Sequence, residues 1–162
     1  MARKKVREYN GKLLLKSAMK QLAGVELPIN VAQVKENTNF MELLDQHPWL
    51  NQTKLVVKPD MLFGQRGKND LVGLNLSFAE AEEFIHKRMG KMVTIKGCTG
   101  PVNTFVVEPF VPHKEEYYLC IQSNRLDIDV SFSTAGGVEI EENWDKVKHV
   151  TMSTDTTITS EF

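Results

Sequence analysis

Lys58 closes an apolar run, Leu55-Val56-Val57, and Pro59 follows at once. A lysine fixed at the end of a strand supplies the point charge that phosphate binding needs. The same pattern fits a surface lysine whose stem lies along apolar neighbours. Shortly afterwards, Gly64-Gln65-Arg66-Gly67-Lys68 joins two glycines to two cations. Glycines let backbone N–H groups come close to an anion. The spacing is not that of a Walker loop, and no Ser or Thr follows Lys68 to hold magnesium. The alternative is a basic hairpin turn between two strands.

Further on, Glu108-Pro109-Phe110-Val111 reads as a strand end entering a linker. A connector of this kind can hold adenine with main-chain atoms between apolar side chains. Glu108 would accept from the exocyclic amine, and Phe110 and Val111 would offer backbone polar atoms. The other reading is an interdomain linker with an exposed glutamate. Glu115 and Glu116 precede Tyr117-Tyr118 and suit either ribose hydroxyls or a solvated turn. Gly136-Gly137-Val138-Glu139-Ile140-Glu141-Glu142 is a glycine turn followed by carboxylates that alternate along one side of a strand. It fits a turn near a reaction centre or a hairpin with one acidic face. His47, His86, His113 and His149 stand in no triad and no H-x-x-x-H spacing, so none is singled out as a phosphoryl acceptor.

The elements that would position these residues follow from periodicity and breakers. Residues 10–24 predict a helix, capped by Asn10, stopped by Gly24, with an apolar stripe of Leu14, Leu15, Ala18, Met19 and Leu22. Residues 28–34 predict a short strand. Asn39 and Glu42 form a capping box for a helix that must end by His47, before Pro48. Strands are predicted at 54–58 and 71–76, and Ser77 with Glu80 caps a helix ended by Gly90. Strands then dominate, at 92–96, 103–108, 117–122 and 128–132. The two prolines at 109 and 112 are expected to stop pairing and mark an internal boundary. The segment from Thr151 holds seven Ser or Thr in 12 residues and reads as disordered.

With 162 residues, 41% hydrophobic and 25% charged, the chain has ordinary globular composition, enough for one domain or two small lobes. A net charge of −1 gives no overall field toward nucleic acid or a membrane. Charge is uneven, however. Arg3, Lys4, Lys5, Arg7, Lys12, Lys16 and Lys20 face only Glu8 in the first 20 residues, while residues 115–145 hold only Arg125 against many acids. The basic start reads as a solvated helix face near an acidic surface, with a nucleic-acid arm as the alternative. Cys98 and Cys120 stand in no metal or redox spacing, which suits free thiols in a reducing cytosol. No run is long enough for a membrane span, and the start lacks a signal peptide's apolar core.

Taken together, these motifs resemble the A subunit, or front part, of the ATP-citrate lyase family. The runs that carry the likeness are Arg3-Lys4-Lys5-Val6-Arg7-Glu8-Tyr9, His47-Pro48-Trp49-Leu50, Leu55-Val56-Val57-Lys58-Pro59-Asp60, Arg66-Gly67-Lys68, Phe105 through His113, and Gly136 through Asp145. The match covers about residues 1–148. The resemblance implies an α/β (α+β) chain of the ATP-grasp fold, with a small lobe at 19–110. Residues 1–18 and 111–148 would belong to an incomplete larger lobe, and 149–162 would be a disordered tail. It further implies that Lys58, Arg66 and Gly67 hold ATP phosphates. Pro109 and Val111 would line the adenine site with Glu108, and Glu116 would meet the ribose.

In that family, ATP, citrate and CoA yield acetyl-CoA and oxaloacetate for lipid and isoprenoid synthesis, in the cytosol. Mg2+ ligands, the citrate and CoA sites and the phosphorylated histidine are expected outside these residues, the last in a beta-subunit partner. The sequence is therefore expected to be a truncated form, inactive alone. The alternatives are a non-catalytic homologue that binds nucleotide or partner subunits, and a succinyl-CoA synthetase-like ligase fragment.

Overall fold

The computed structural model describes residues 4–62, 66–95, 97–137 and 140–156. Residues 64–65 of the glycine loop, 138–139 of the acidic run and 157–162 of the tail lie outside them. The chain divides into two compact units, Met1–Val111 and Pro112–Phe162.

The first unit contains α1 (Glu8–Ala23), β1 (Ala32–Lys35), α2 (Phe40–Gln46), β2 (Leu55–Pro59), β3 (Gly73–Leu76), α3 (Phe78–Arg88), β4 (Met92–Ile95), β5 (Cys98–Pro101) and β6 (Thr104–Pro109). Four strands form an antiparallel sheet in the order β1-β6-β2-β3, and β4 and β5 pair as a separate hairpin. Ser77 and Glu80 make the expected capping box of α3. Asn39 caps α2 through Met41 and Glu42 N–H, but the Glu42 carboxylate takes the Asn39 side-chain amide instead of closing a box.

Side chains alternate along each strand, so the sheet has two distinct faces. Leu55 and Val57 of β2, Phe105 and Val107 of β6, and Ala32 and Val34 of β1 form the core face. They pack with Leu43 of α2, Leu50 of the 3-10 turn Pro48–Asn51, Ala81 and Ile85 of α3, and the loop residue Val102. The register places Lys58, Val106, Glu108 and Gln33 on the opposite face.

α1 differs from expectation at its start. Asn10 lies inside it, and the helix begins at Glu8 with no side-chain cap from Arg7. The orphan Tyr9 N–H is met instead by Asp60 Oδ1 at 3.3 Å. Gly24, at φ 65°, ends the helix as expected. The predicted apolar stripe is not core: α1 buries no residue, and Leu14 and Leu22 are exposed. α1 and the Arg7 before it are bonded to β2, to Asp60 just after it and to β6 within the unit Met1–Val111. Pairing runs through Pro109, one of the two prolines expected to stop it, and through Pro59 at the end of β2. Pro59 faces Phe105 and Pro109 faces Leu55, positions where the missing N–H is not needed by the neighbouring strand.

The second unit is an antiparallel meander of β7 (Tyr118–Ser123), β8 (Asp127–Ser133) and β9 (Lys148–Ser153). β9 corrects the reading of this stretch as disordered. Val150 and Met152 alternate with polar residues and meet Val130 and Ile128 across the ladder, which Ser/Thr content alone conceals. The register gathers Leu119, Ile121, Val130, Phe132, Val150 and Met152 on one face, with Leu119 and Ile121 more than 60% exposed.

Candidate functional site

Lys58 sits next to the end of β2, an inner strand between β6 and β3. Its neighbour on the same face is diagonal: Lys58 pairs with Val106 and Val56 pairs with Glu108. That geometry brings the Lys58 ammonium 2.7 Å from Glu108 Oε2. From above the same face, the first turn of α1 lowers Glu8, whose Oε1 lies 2.9 Å from Lys58 Nζ. Lys12, one turn on, ion-pairs with Glu8 Oε1 at 3.2 Å and with Glu108 Oε1.

Arg66 comes from the loop after β2. Its Nη1 donates to Pro59 O at 2.9 Å, and its Nη2 donates to Glu8 Oε2 at 2.7 Å. Gly67 opens a 3-10 turn, Gly67–Asn69, capped by the left-handed Asp70 (φ 53°). Lys58 and Arg66 therefore converge from separate segments, bridged by one carboxylate.

Three cations, Lys12, Lys58 and Arg66, are set against two carboxylates, Glu8 and Glu108. Burial pushes the Glu8 carboxyl up, but the charges and hydrogen bonds of Lys58 and Arg66 outweigh it and hold the group at about 2. Burial and the nearby Lys58 charge push the Lys12 ammonium down, against the pull of Glu8. The cluster thus carries a positive excess on a partly sheltered face, the electrostatic condition for taking up an anion.

Beneath it, Asp60 is fully buried. Its N–H donates to Thr104 O at 2.8 Å, and its carboxylate accepts from Tyr9 N–H and from Gln33 Nε2 at 3.1 Å. Asp60 thus ties α1, β1 and β6 to the end of β2. Arg7 Nη1 adds a bond to Thr104 Oγ1 at 2.9 Å.

Of the remaining expected site residues, Glu108 places its carboxylate against Lys12 and Lys58. Pro109 ends β6, Phe110 N–H donates to Lys54 O at 2.6 Å, and Val111 closes the first unit with its side chain exposed. Glu116 belongs to the second unit, where its Oε1 lies 2.9 Å from His113 Nε2. The glycine pair of the acidic run packs against that residue. Gly136 N–H donates to Glu116 O at 2.8 Å, and a Cβ at Gly137 (φ 85°) would run into the Glu116 carboxylate. Among the described residues, no group of three or more His, Cys, Asp or Glu is arranged to hold a metal.

Residues 2–162 match the model of the ATP-citrate synthase ATP-grasp domain. This chain belongs to the ATP-citrate synthase ATP-grasp family. It is 56% identical over 161 residues to ATP-citrate synthase alpha chain protein 2 of Arabidopsis thaliana, covering 99% of this chain and 38% of that one. It is 38% identical over 142 residues to the ATP-citrate synthase of Homo sapiens, covering 86% of this chain and 13% of that one. ATP citrate lyase from Methanothrix soehngenii, solved with citrate and coenzyme A, superposes with a TM-score of 0.83 at 39% identity, over 97% of this chain and 37% of that one. The chain thus spans well under half the length of these relatives. Its mixed helices and antiparallel sheets are those of the ATP-grasp region of the ATP-citrate synthase family.

Sequence reasoning did not single out Glu8, Lys12 or Asp60. One signal was present: Glu8 is the lone acid among seven basic residues at the start. An isolated opposite charge in such a run is a candidate for a buried pair rather than a solvated face.

Proposed function

We propose that this chain is the ATP-binding portion of an ATP-citrate lyase. Lys58 and Arg66, with the backbone at Gly67, take the nucleotide's phosphates; Pro109 and the main chain of Val111 line the adenine; Glu116 meets the ribose. Glu108 serves as the counter-charge of Lys58. The observation that carries the reading is the convergence of Lys58 and Arg66 on one point of the sheet face, with a positive excess around them. Charge-assisted contacts from a lysine and an arginine fork are the groups that hold a polyphosphate. Phosphoryl transfer depends on positioning and charge neutralisation, and these residues supply the positioning half.

The complete enzyme makes acetyl-CoA and oxaloacetate from citrate, CoA and ATP, supplying lipid and isoprenoid synthesis. In this reading Mg2+, citrate and CoA are bound by parts of the enzyme beyond these residues. The alpha-chain name of the plant relatives supports a beta-subunit partner in a hetero-oligomer. Two free cysteines, Cys98 and Cys120, suit a cytosolic setting.

Calorimetric titration tests the reading. ATP should bind more tightly than adenosine, and Lys58→Ala should weaken ATP without changing adenosine. Equal loss for both ligands would mean that Lys58 supports the fold and not the phosphates.

A further inference from the structure

Glu8 occupies the place an incoming anion would take. Its two oxygens bridge Lys58, at 2.9 Å, and Arg66, at 2.7 Å, as two oxygens of a phosphate would. Glu108 already neutralises Lys58 from within the sheet, so Glu8 is a second counter-charge. A polyphosphate drawn to the same two cations would meet the Glu8 carboxylate at contact distance, where like charges repel. α1 buries no side chain, and its attachments among the described residues are polar: Arg7 to Thr104, Tyr9 N–H to Asp60, Lys16 to Ile29 O, and the ion pairs of Glu8 and Lys12. Full apolar burial nowhere anchors α1, Tyr9, Ala18 and Met19 being only half-buried.

We propose that Glu8 is a resident anion of this site, displaced from Lys58 and Arg66 when a nucleotide's phosphates bind. The proposal rests on the reading of those two cations as phosphate ligands. Glu8 then sets a threshold for entry: ligands with a polyphosphate displace it, and nucleosides or single weak anions do not.

The test is calorimetric titration of the full chain with ATP, tripolyphosphate and adenosine, for the native chain, Glu8→Gln and Lys58→Ala, with circular dichroism as the check on folding. Glu8→Gln should bind ATP and tripolyphosphate on the order of tenfold more tightly, with adenosine unchanged. Unchanged or weaker polyphosphate binding by a folded Glu8→Gln chain overturns the displacement, even where Lys58→Ala weakens ATP as expected. If Lys58→Ala binds ATP like the native chain, the phosphate reading fails and takes the proposal with it. Failure of both native and Glu8→Gln chains to bind tripolyphosphate has the same meaning. A second measurement does not depend on the variant folding. In the native chain, the Glu8 carboxyl should titrate like an ordinary glutamate once tripolyphosphate saturates the site, as read by carboxyl-carbon magnetic resonance. A carboxyl that keeps its depressed titration with ligand bound overturns the proposal.

Discussion

Glu8 accepts a hydrogen bond from Arg66 at 2.7 Å across 58 positions of sequence, and that one contact fixes the loop after β2 to the first turn of α1. The same carboxylate holds Lys58, so its charge contributes to holding three segments together.

Acid should therefore loosen the first unit through Glu8. Its folded value of about 2 lies below the ordinary 4.5, so the stabilisation is complete above 4.5 and is lost as pH falls toward 2. The shift corresponds to about 3 kcal/mol. Urea unfolding at pH 5 and at pH 2.5 should show the native chain losing much of that amount. Glu8→Gln should start lower at pH 5 and show a flatter dependence over the same window. Parallel pH profiles for the two chains would remove Glu8 from this role.

Lys58→Ala should cost ATP binding about 1.5–3 kcal/mol, the size of a charge-assisted contact. Lys54→Ala is the control. Lys54 precedes β2, is exposed, and reaches only Glu80 among the described residues, at 3.8 Å. Its loss should leave affinity within error, since exposed pairs contribute little. Matching losses for both variants would place the phosphates elsewhere.

Gly137→Ala should destabilise the second unit by about 1–3 kcal/mol, because the new Cβ meets Glu116 at a left-handed backbone position. Glu116→Ala in the same chain should recover the collision's share and leave only the backbone strain. Thermal melts of the single and double variants read the difference. A double variant no more stable than Gly137→Ala would show that the close approach carries no energy.

Asp60→Ala should destabilise the first unit, because Asp60 is fully buried. It removes the acceptor for Tyr9 N–H and Gln33 Nε2 at a fully buried site. A loss of about 2–3 kcal/mol is expected from the stranded donors, measurable by chemical denaturation. A loss within 0.5 kcal/mol, read against roughly 1 kcal/mol for an ordinary hydrogen bond, would mean that water replaces the carboxylate.

Much of the scaffold could be read from local signals. Ser77 with Glu80, Asn39 before Phe40, and Gly24 after the first helix each mark a boundary by their own backbone chemistry. The strands at Lys58 and Glu108 announced themselves through apolar runs. The pairing of those strands was not legible, because register is a long-range property; it decides that Lys58 and Glu108 become diagonal partners. Glu8 was hidden for the same reason, its partners being 50 and 58 positions away. β9 was hidden by composition: a Ser/Thr-rich stretch with alternating Val and Met is half polar by design when one side of a sheet faces solvent.

The lopsided meander of the second unit has a practical side. One surface gathers leucine, isoleucine, valine, phenylalanine and methionine, and four of these, Leu119, Ile121, Phe132 and Val150, are exposed. Such a surface takes up environment-sensitive dyes and brings chains together as concentration rises. A recombinant preparation with these limits should therefore show a molar mass that climbs on concentration. Leu119→Thr with Ile121→Thr should hold it constant without disturbing β7, since threonine keeps the branched shape that strands favour.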